Sequence, residues 1–149
     1  MKSLALAALL LGSSLLVAND SKPSPIDWNE TPTCPRSRAL ENIRPFRSEG
    51  YHVRDGYWTG VLKRGEPLIL DLHLFSGNDY WFSAANCDES TILQLSLFDS
   101  KGNPAGSAPV AEAGRATSAI SVVRSGRYFL RLEMTTGDKA ETSMVYSYK

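Results

Sequence analysis

A chain of 149 residues fits a single domain. Lysine plus arginine and aspartate plus glutamate stand at 16 each, and loss of Lys2 with a leader leaves one excess acid. That balance excludes a strongly basic nucleic-acid binder and an acidic solvating tail. A hydrophobic content of 42% is enough for a packed core and argues against global disorder.

Residues 1–18 read MKSLALAALLLGSSLLVA. One early charge, Lys2, precedes an uncharged run of leucine and alanine, and polar Asn19-Asp20-Ser21 follow at once. This is the shape of a secretory signal peptide. A membrane anchor needs about 20 apolar residues, whereas this run is shorter and broken by Gly12-Ser13-Ser14. The expected cut follows Ala18, with Leu16 a poor residue at the third position before it. There is no cysteine near the cut to carry a lipid. No second long apolar run follows, so no membrane span is expected in the mature chain, and the expected location is secreted or periplasmic.

Cys34 and Cys87 are the only cysteines. In an exported chain they permit one intramolecular disulfide. It would close a loop of about 50 residues, which the chain-entropy model values at about 4 kcal/mol. Two free thiols or an intermolecular bridge are the alternatives.

Residues 19–50 hold five of the eight prolines and no lasting period, and so read as an extended N-terminal arm. A short helix over Arg38 to Ile43 suits Arg-Ala-Leu-Glu, with Pro45 stopping it. Beyond Gly56 the period becomes two. Leu68, Leu70, Leu72 and Leu74 form one strand face. Ser76-Gly77-Asn78-Asp79 is turn chemistry, and Tyr80, Phe82 and Ala84 continue the alternation, which predicts a β-hairpin with a four-residue connection. Leu93, Leu95 and Leu97 mark the next strand, closed by a turn at residues 99–103. Residues 103–115 read as a loop with an irregular edge strand. Ile120 and Val122 mark another strand, Ser125-Gly126 turns the chain, and Tyr128, Leu130, Leu132 and Met134 alternate again. Met144, Tyr146 and Tyr148 lie on the last strand. About seven to eight short strands with glycine-rich turns predict an all-β antiparallel sandwich or barrel over residues 51–149.

Four patterns occur in order: Gly56-Tyr57-Trp58-Thr59-Gly60-Val61-Leu62 followed by Gly65-Glu66; Leu74-Phe75-Ser76-Gly77-Asn78-Asp79-Tyr80-Trp81-Phe82; Leu95-Ser96-Leu97-Phe98-Asp99-Ser100-Lys101-Gly102; and Ser125-Gly126-Arg127-Tyr128-Phe129-Leu130-Arg131-Leu132. In this order they resemble the bacterial pre-peptidase C-terminal domain over roughly residues 56–148. The resemblance implies a jelly-roll-like β-sandwich that is not itself catalytic. Such domains usually accompany exported enzymes, and no attached peptidase is expected here. Gly77, Gly102 and Gly126 sit where the turns call for positive φ, and Tyr80 and Tyr128 point to the expected core. The family often carries acidic residues before the third turn. Thr91-Ile92-Leu93-Gln94-Leu95 has none, which weakens an inherited cation site.

Catalysis has little to work with. His73, Asp71 and Ser76 are close in sequence, but no Gly-x-Ser-x-Gly elbow is present, and a triad needs defined geometry. The bland reading is a solvent-facing strand. The two histidines and two cysteines are too scattered for zinc. Asp88, Glu89 and Asp99 lack the ligand run calcium uses and read as ordinary loop acids. No cofactor or metal is therefore expected, and no enzyme. Arg36, Arg38, Arg44 and Arg47 make the arm basic, but Glu41 and Glu49 interrupt them and no stacking platform accompanies them, so no nucleic-acid partner is expected.

The aromatic residues are more informative. If the leucine faces point inward, Ile69, Phe75, Trp81, Ile92, Phe98 and Phe129 point outward, more apolar surface than a lone domain leaves wet. The arm, a second subunit or protein partner, or a stacked polymer would cover it. Trp28 and Trp58 read as packing residues. Trp81, Phe98 and Phe129 are the candidate binding residues, and the expected function is a secreted, non-catalytic module for binding or protein interaction. The alternative is a structural accessory that stabilises an exported partner or assists its export.

Overall fold

The computed structural model of the chain describes residues 33–54 and 58–149. The leader, the first part of the arm with Trp28, and Gly56-Tyr57 lie outside the described residues.

Two short helices come first, α1 (Cys34–Glu41) and α2 (Arg44–Arg47). The predicted arm is thus helical over most of residues 34–47 rather than extended. Proline explains it: Pro35 and Pro45 each fall in the first turn, where a missing N–H costs nothing and the fixed φ favours helix. Pro45 starts the second helix instead of merely stopping the first. Ten strands follow among the described residues: β1 (His52–Val53), β2 (Trp58–Lys63), β3 (Leu68–Leu74), β4 (Asp79–Asn86), β5 (Ile92–Asp99), β6 (Pro104–Ala105), β7 (Glu112–Ala113), β8 (Arg115–Ser121), β9 (Gly126–Thr136) and β10 (Lys139–Tyr148).

All pairings are antiparallel, in the order β1-β10-β4-β8-β7-β5-β9-β3, with β2 also on β10 and β6 also on β5. The sheet is open, with β3 ending one side and β1 and β2 the other. It divides into two halves, β1/β2-β10-β4-β8 and β5-β9-β3, joined through the two-residue β7. One core draws on both halves. Tyr80 and Phe82 of β4 and Met144 of β10 cluster with Leu95 of β5 and Leu130 and Leu132 of β9. The sheet therefore bends until its inner faces meet, and the predicted leucine alternation supplies that interior.

Three local expectations change. β3 and β4 do not form a hairpin, because β3 pairs with β9 and β4 with β10 and β8. The turn at residues 75–78 carries the chain from one half to the other, so both strands aim their apolar faces at the same core without being neighbours. The small-residue loop contains two short strands, β6 and β7, not one. Gly77 and Gly102 do have positive φ, 85° and 83°, as their turns require, but Gly126 does not and simply opens β9.

Inside, Tyr80 and Phe82 stack with centroids 6.3 Å apart, and Tyr146 lies 5.5 Å from Phe82. The Tyr80 hydroxyl accepts bonds from the Phe75 backbone N–H and from Asn78 Nδ2, and Tyr128 donates its own to the Arg124 carbonyl. Both buried phenols thus have the partners that burial requires. Burial pushes the Tyr146 hydroxyl above its ordinary pKa, and nearby Arg54 partly offsets this. Trp58 packs against the same core and lies over Gly60, where a Cβ would meet its ring at 2.6 Å.

Candidate interaction surface

Cys34 and Cys87 form a disulfide with Cα atoms 6.2 Å apart, linking the first residue of α1 to the loop after β4. That loop is tightly stitched. Buried Asn86 donates to Thr91 Oγ1 at 2.7 Å, and its Oδ1 accepts the Asp88 N–H at 3.0 Å. The bond anchors the helices over the outer face of β4 and β10. Ala39 and Ile43 are fully buried there against Ala85 and Val145, with Leu40, Val53 and Trp81 around them. Asn42 Nδ2 donates to Ser83 Oγ, and Arg38 reaches the Asn86 carbonyl and Glu89. Phe46 of α2 covers Trp81 with ring centroids 4.3 Å apart. Trp81 Nε1 is buried without a hydrogen-bond partner among the described residues.

The outer face of β5-β9-β3 carries no such cover among the described residues. Phe98 and Phe129 are direct cross-strand partners, and Phe129 is opposite Asp71. Arg127, two residues before Phe129 and on the same face, lies with its guanidinium carbon 5.0 Å from the Phe129 ring centre. Its Nε donates to both Asp71 oxygens at 2.9 and 2.8 Å. Those bonds, with the Arg127 charge, hold the Asp71 carboxyl below the ordinary aspartate range, and Asp71 raises Arg127 in return. His73 is opposite Arg127 and rests edge-on against Phe75. Ile69 is 53% exposed and Phe75 47%.

The three candidate aromatics therefore separate. Phe98 and Phe129 meet on the uncovered half, and Trp81 is under α2 on the other half. Arg127 belongs with the two phenylalanines, and sequence reasoning passed over it. The period-two rule that put Phe129 outward puts Arg127 outward too, and that was the signal available.

Asp71 is committed to Arg127 rather than to His73, and Ser76 joins Ser125 through its N–H and hydroxyl. The three residues weighed for catalysis thus do not converge on one another. Asp88 and Asp99 accept bonds within their own turns, chiefly from Ser90 and Asn103, and both carboxyls are lowered by them. Among the described residues no group of three or more histidine, cysteine, aspartate or glutamate side chains is placed to hold a metal ion.

An open groove of about 750 Å³ separates α1 from β7 and β8. Its arginines are paired within the chain, Arg38 with Glu89 at 3.0 Å and Arg115 with Glu112 at 2.6 Å. That leaves no single-signed field to draw a charged ligand. No described helix is long and apolar enough to cross a membrane, and the disulfide is compatible with an oxidising compartment.

The fold and surface define an antiparallel β-protein with one half covered by disulfide-anchored helices and the other without such cover among the described residues. No protein-family model matches the chain, and no curated protein matches it.

Proposed function

We propose that the chain acts as an exported, non-enzymatic β-sandwich module that binds a protein or an extracellular polymer through the outer face of β5-β9-β3. One observation carries the reading: Phe98, Phe129 and Arg127 form a contiguous aromatic and cationic surface on the half that α1 and α2 leave bare. Amphipathic surfaces of this composition are enriched at interaction sites. The order of the four sequence motifs supports a jelly-roll-like topology of the pre-peptidase C-terminal type, and the leader-like residues 1–18 support export.

The test is co-sedimentation with insoluble polysaccharides and matrix proteins. Phe98→Ala/Phe129→Ala is expected to lose retention, and Trp81→Ala to keep it while melting at lower temperature. Retention lost only in Trp81→Ala would place binding on the other half and overturn the assignment. The packing of Phe46 on Trp81 favours a second reading, a structural accessory that stabilises an exported partner or assists its export. Absence of retention on every polymer and matrix protein, with a bound exported protein whose melting temperature rises in the complex and whose binding survives Phe98→Ala/Phe129→Ala, would favour it.

A further inference from the structure

Among the described residues the sheet has two free sides, and they are built differently. The β2 side holds Gly60 in its middle and ends in Lys63, devices that discourage pairing with another chain. The β3 side runs seven residues, Leu-Ile-Leu-Asp-Leu-His-Leu, with no lysine, glycine or proline inside it. Pro67 only precedes it. Leu68, Leu70 and Leu72 face the core and are only partly buried, whereas Leu95, Leu130 and Leu132 are fully buried. The core is open along β3.

We propose that β3 is a self-recognition edge, at which two copies of this chain pair their β3 strands antiparallel about a two-fold axis at Leu72. An isologous contact must complement itself, and the β3 sequence does so in one register. Centred on Leu72, Asp71 is opposite the second copy's His73, and Ile69 is opposite its Phe75, the residue just after β3. Both pairs occur twice and lie on the outer face. On the inner face Leu70 meets Leu74 and Leu72 meets itself, covering the partly buried leucines.

The neighbouring registers fail. Centring on Asp71 or on His73 sets identical polar groups face to face. Centring on Leu70 puts Ile69 against Asp71 and His73 against Pro67, which has no N–H. A slip by half a step sets the leucine face of one copy against the polar face of the other. The pairing does not depend on what the Phe98–Phe129 face binds. It would place two such faces side by side on one continuous sheet.

Sedimentation equilibrium of the purified, oxidised protein tests this. A concentration-dependent monomer–dimer equilibrium is expected. Ile69 and Phe75 are both exposed, so their replacement leaves the core intact, and thermal melts verify that. Ile69→Lys/Phe75→Lys sets lysines opposite each other twice and is expected to raise the dimer Kd at least about tenfold. Ile69→Lys/Phe75→Glu makes both pairs oppositely charged and is expected to restore dimerisation.

A monomer up to about 1 mM overturns the proposal. So does a dimer that the charge-matched variant fails to restore. A dimer broken by Phe98→Ala/Phe129→Ala but untouched at positions 69 and 75 assigns the contact to the face and overturns it too. A monomer that dimerises only after residues 19–32 are deleted makes that segment the occupant of the edge, and likewise overturns it. Failure of polymer binding in a protein that still dimerises would count against the binding module alone.

Discussion

The two halves of the sheet share one core and one alternation but treat their outer faces oppositely. Over β4 and β10, beneath the helices, Ser83, Ala85, Val145 and Ser147 point outward, are small or apolar, and are buried. Over β5, β9 and β3 the outward residues include the large or charged Phe98, Phe129, Arg127, Asp71, His73 and Ile69, none of them buried. Small outward side chains let helices lie close to a strand, and large charged and aromatic ones do not. The composition of an outer face thus separates a structural surface from an available one.

Breaking the cover is expected to have the largest effect. Cys34→Ser/Cys87→Ser removes a link across 53 residues, which the chain-entropy model values at about 4 kcal/mol. Denaturant unfolding should show that loss, and tryptophan fluorescence should report Phe46 leaving Trp81. A cost under about 1 kcal/mol would mean that α1 docks without the bond.

A sharper comparison sets two isoleucines against each other. Ile43 is fully buried between α1 and the β4–β10 face, and Ile69 is 53% exposed on β3. Ile43→Ala should cost about 3 kcal/mol, in the range for a buried aliphatic truncated to alanine. Ile69→Ala should stay within about 0.5 kcal/mol in dilute monomer. Equal costs would erase the distinction between covered and bare halves. Phe46→Ala, which removes the ring over Trp81, should fall between them at about 1 kcal/mol.

The alternation of Leu68–Leu74, Leu93–Leu97 and Tyr128–Met134 was legible because one-sided burial writes itself into a strand at period two. The Cys34–Cys87 pairing was legible because two cysteines leave few choices. The pairing of β3 was not, since its neighbour β9 lies more than 50 residues downstream and a local turn at Gly77 looks the same in a hairpin and in a crossing. Nor was the helix from Cys34, where proline reads as a breaker until its place in the first turn is known. The outward aromatics were legible as a set, but their division was not. Trp81 and Phe129 have the same pattern along their strands, and only the helices above Trp81 tell them apart.

The smallest effect tests the bare face itself. Asp71 has its pKa lowered in the folded protein, first by its hydrogen bonds from Arg127. A carboxyl lowered on folding adds stability that is present above its unfolded pKa and is lost as pH falls through its folded one. Asp71→Asn should therefore melt slightly below wild type at neutral pH, and the gap should close on acidification below the ordinary aspartate range. Asp88 and Asp99 are lowered as well and shift both proteins alike, so the difference isolates Asp71. The pair is half exposed, and added salt should shrink the gap at neutral pH. A gap that persists in acid would show that the carboxylate charge is not what Arg127 holds. Arg127 would then rest on Phe129 by stacking alone, and its place on the face would survive the loss of Asp71. A gap that closes makes Asp71 the group that aims the guanidinium, and any ligand that takes Arg127 must first compete with it.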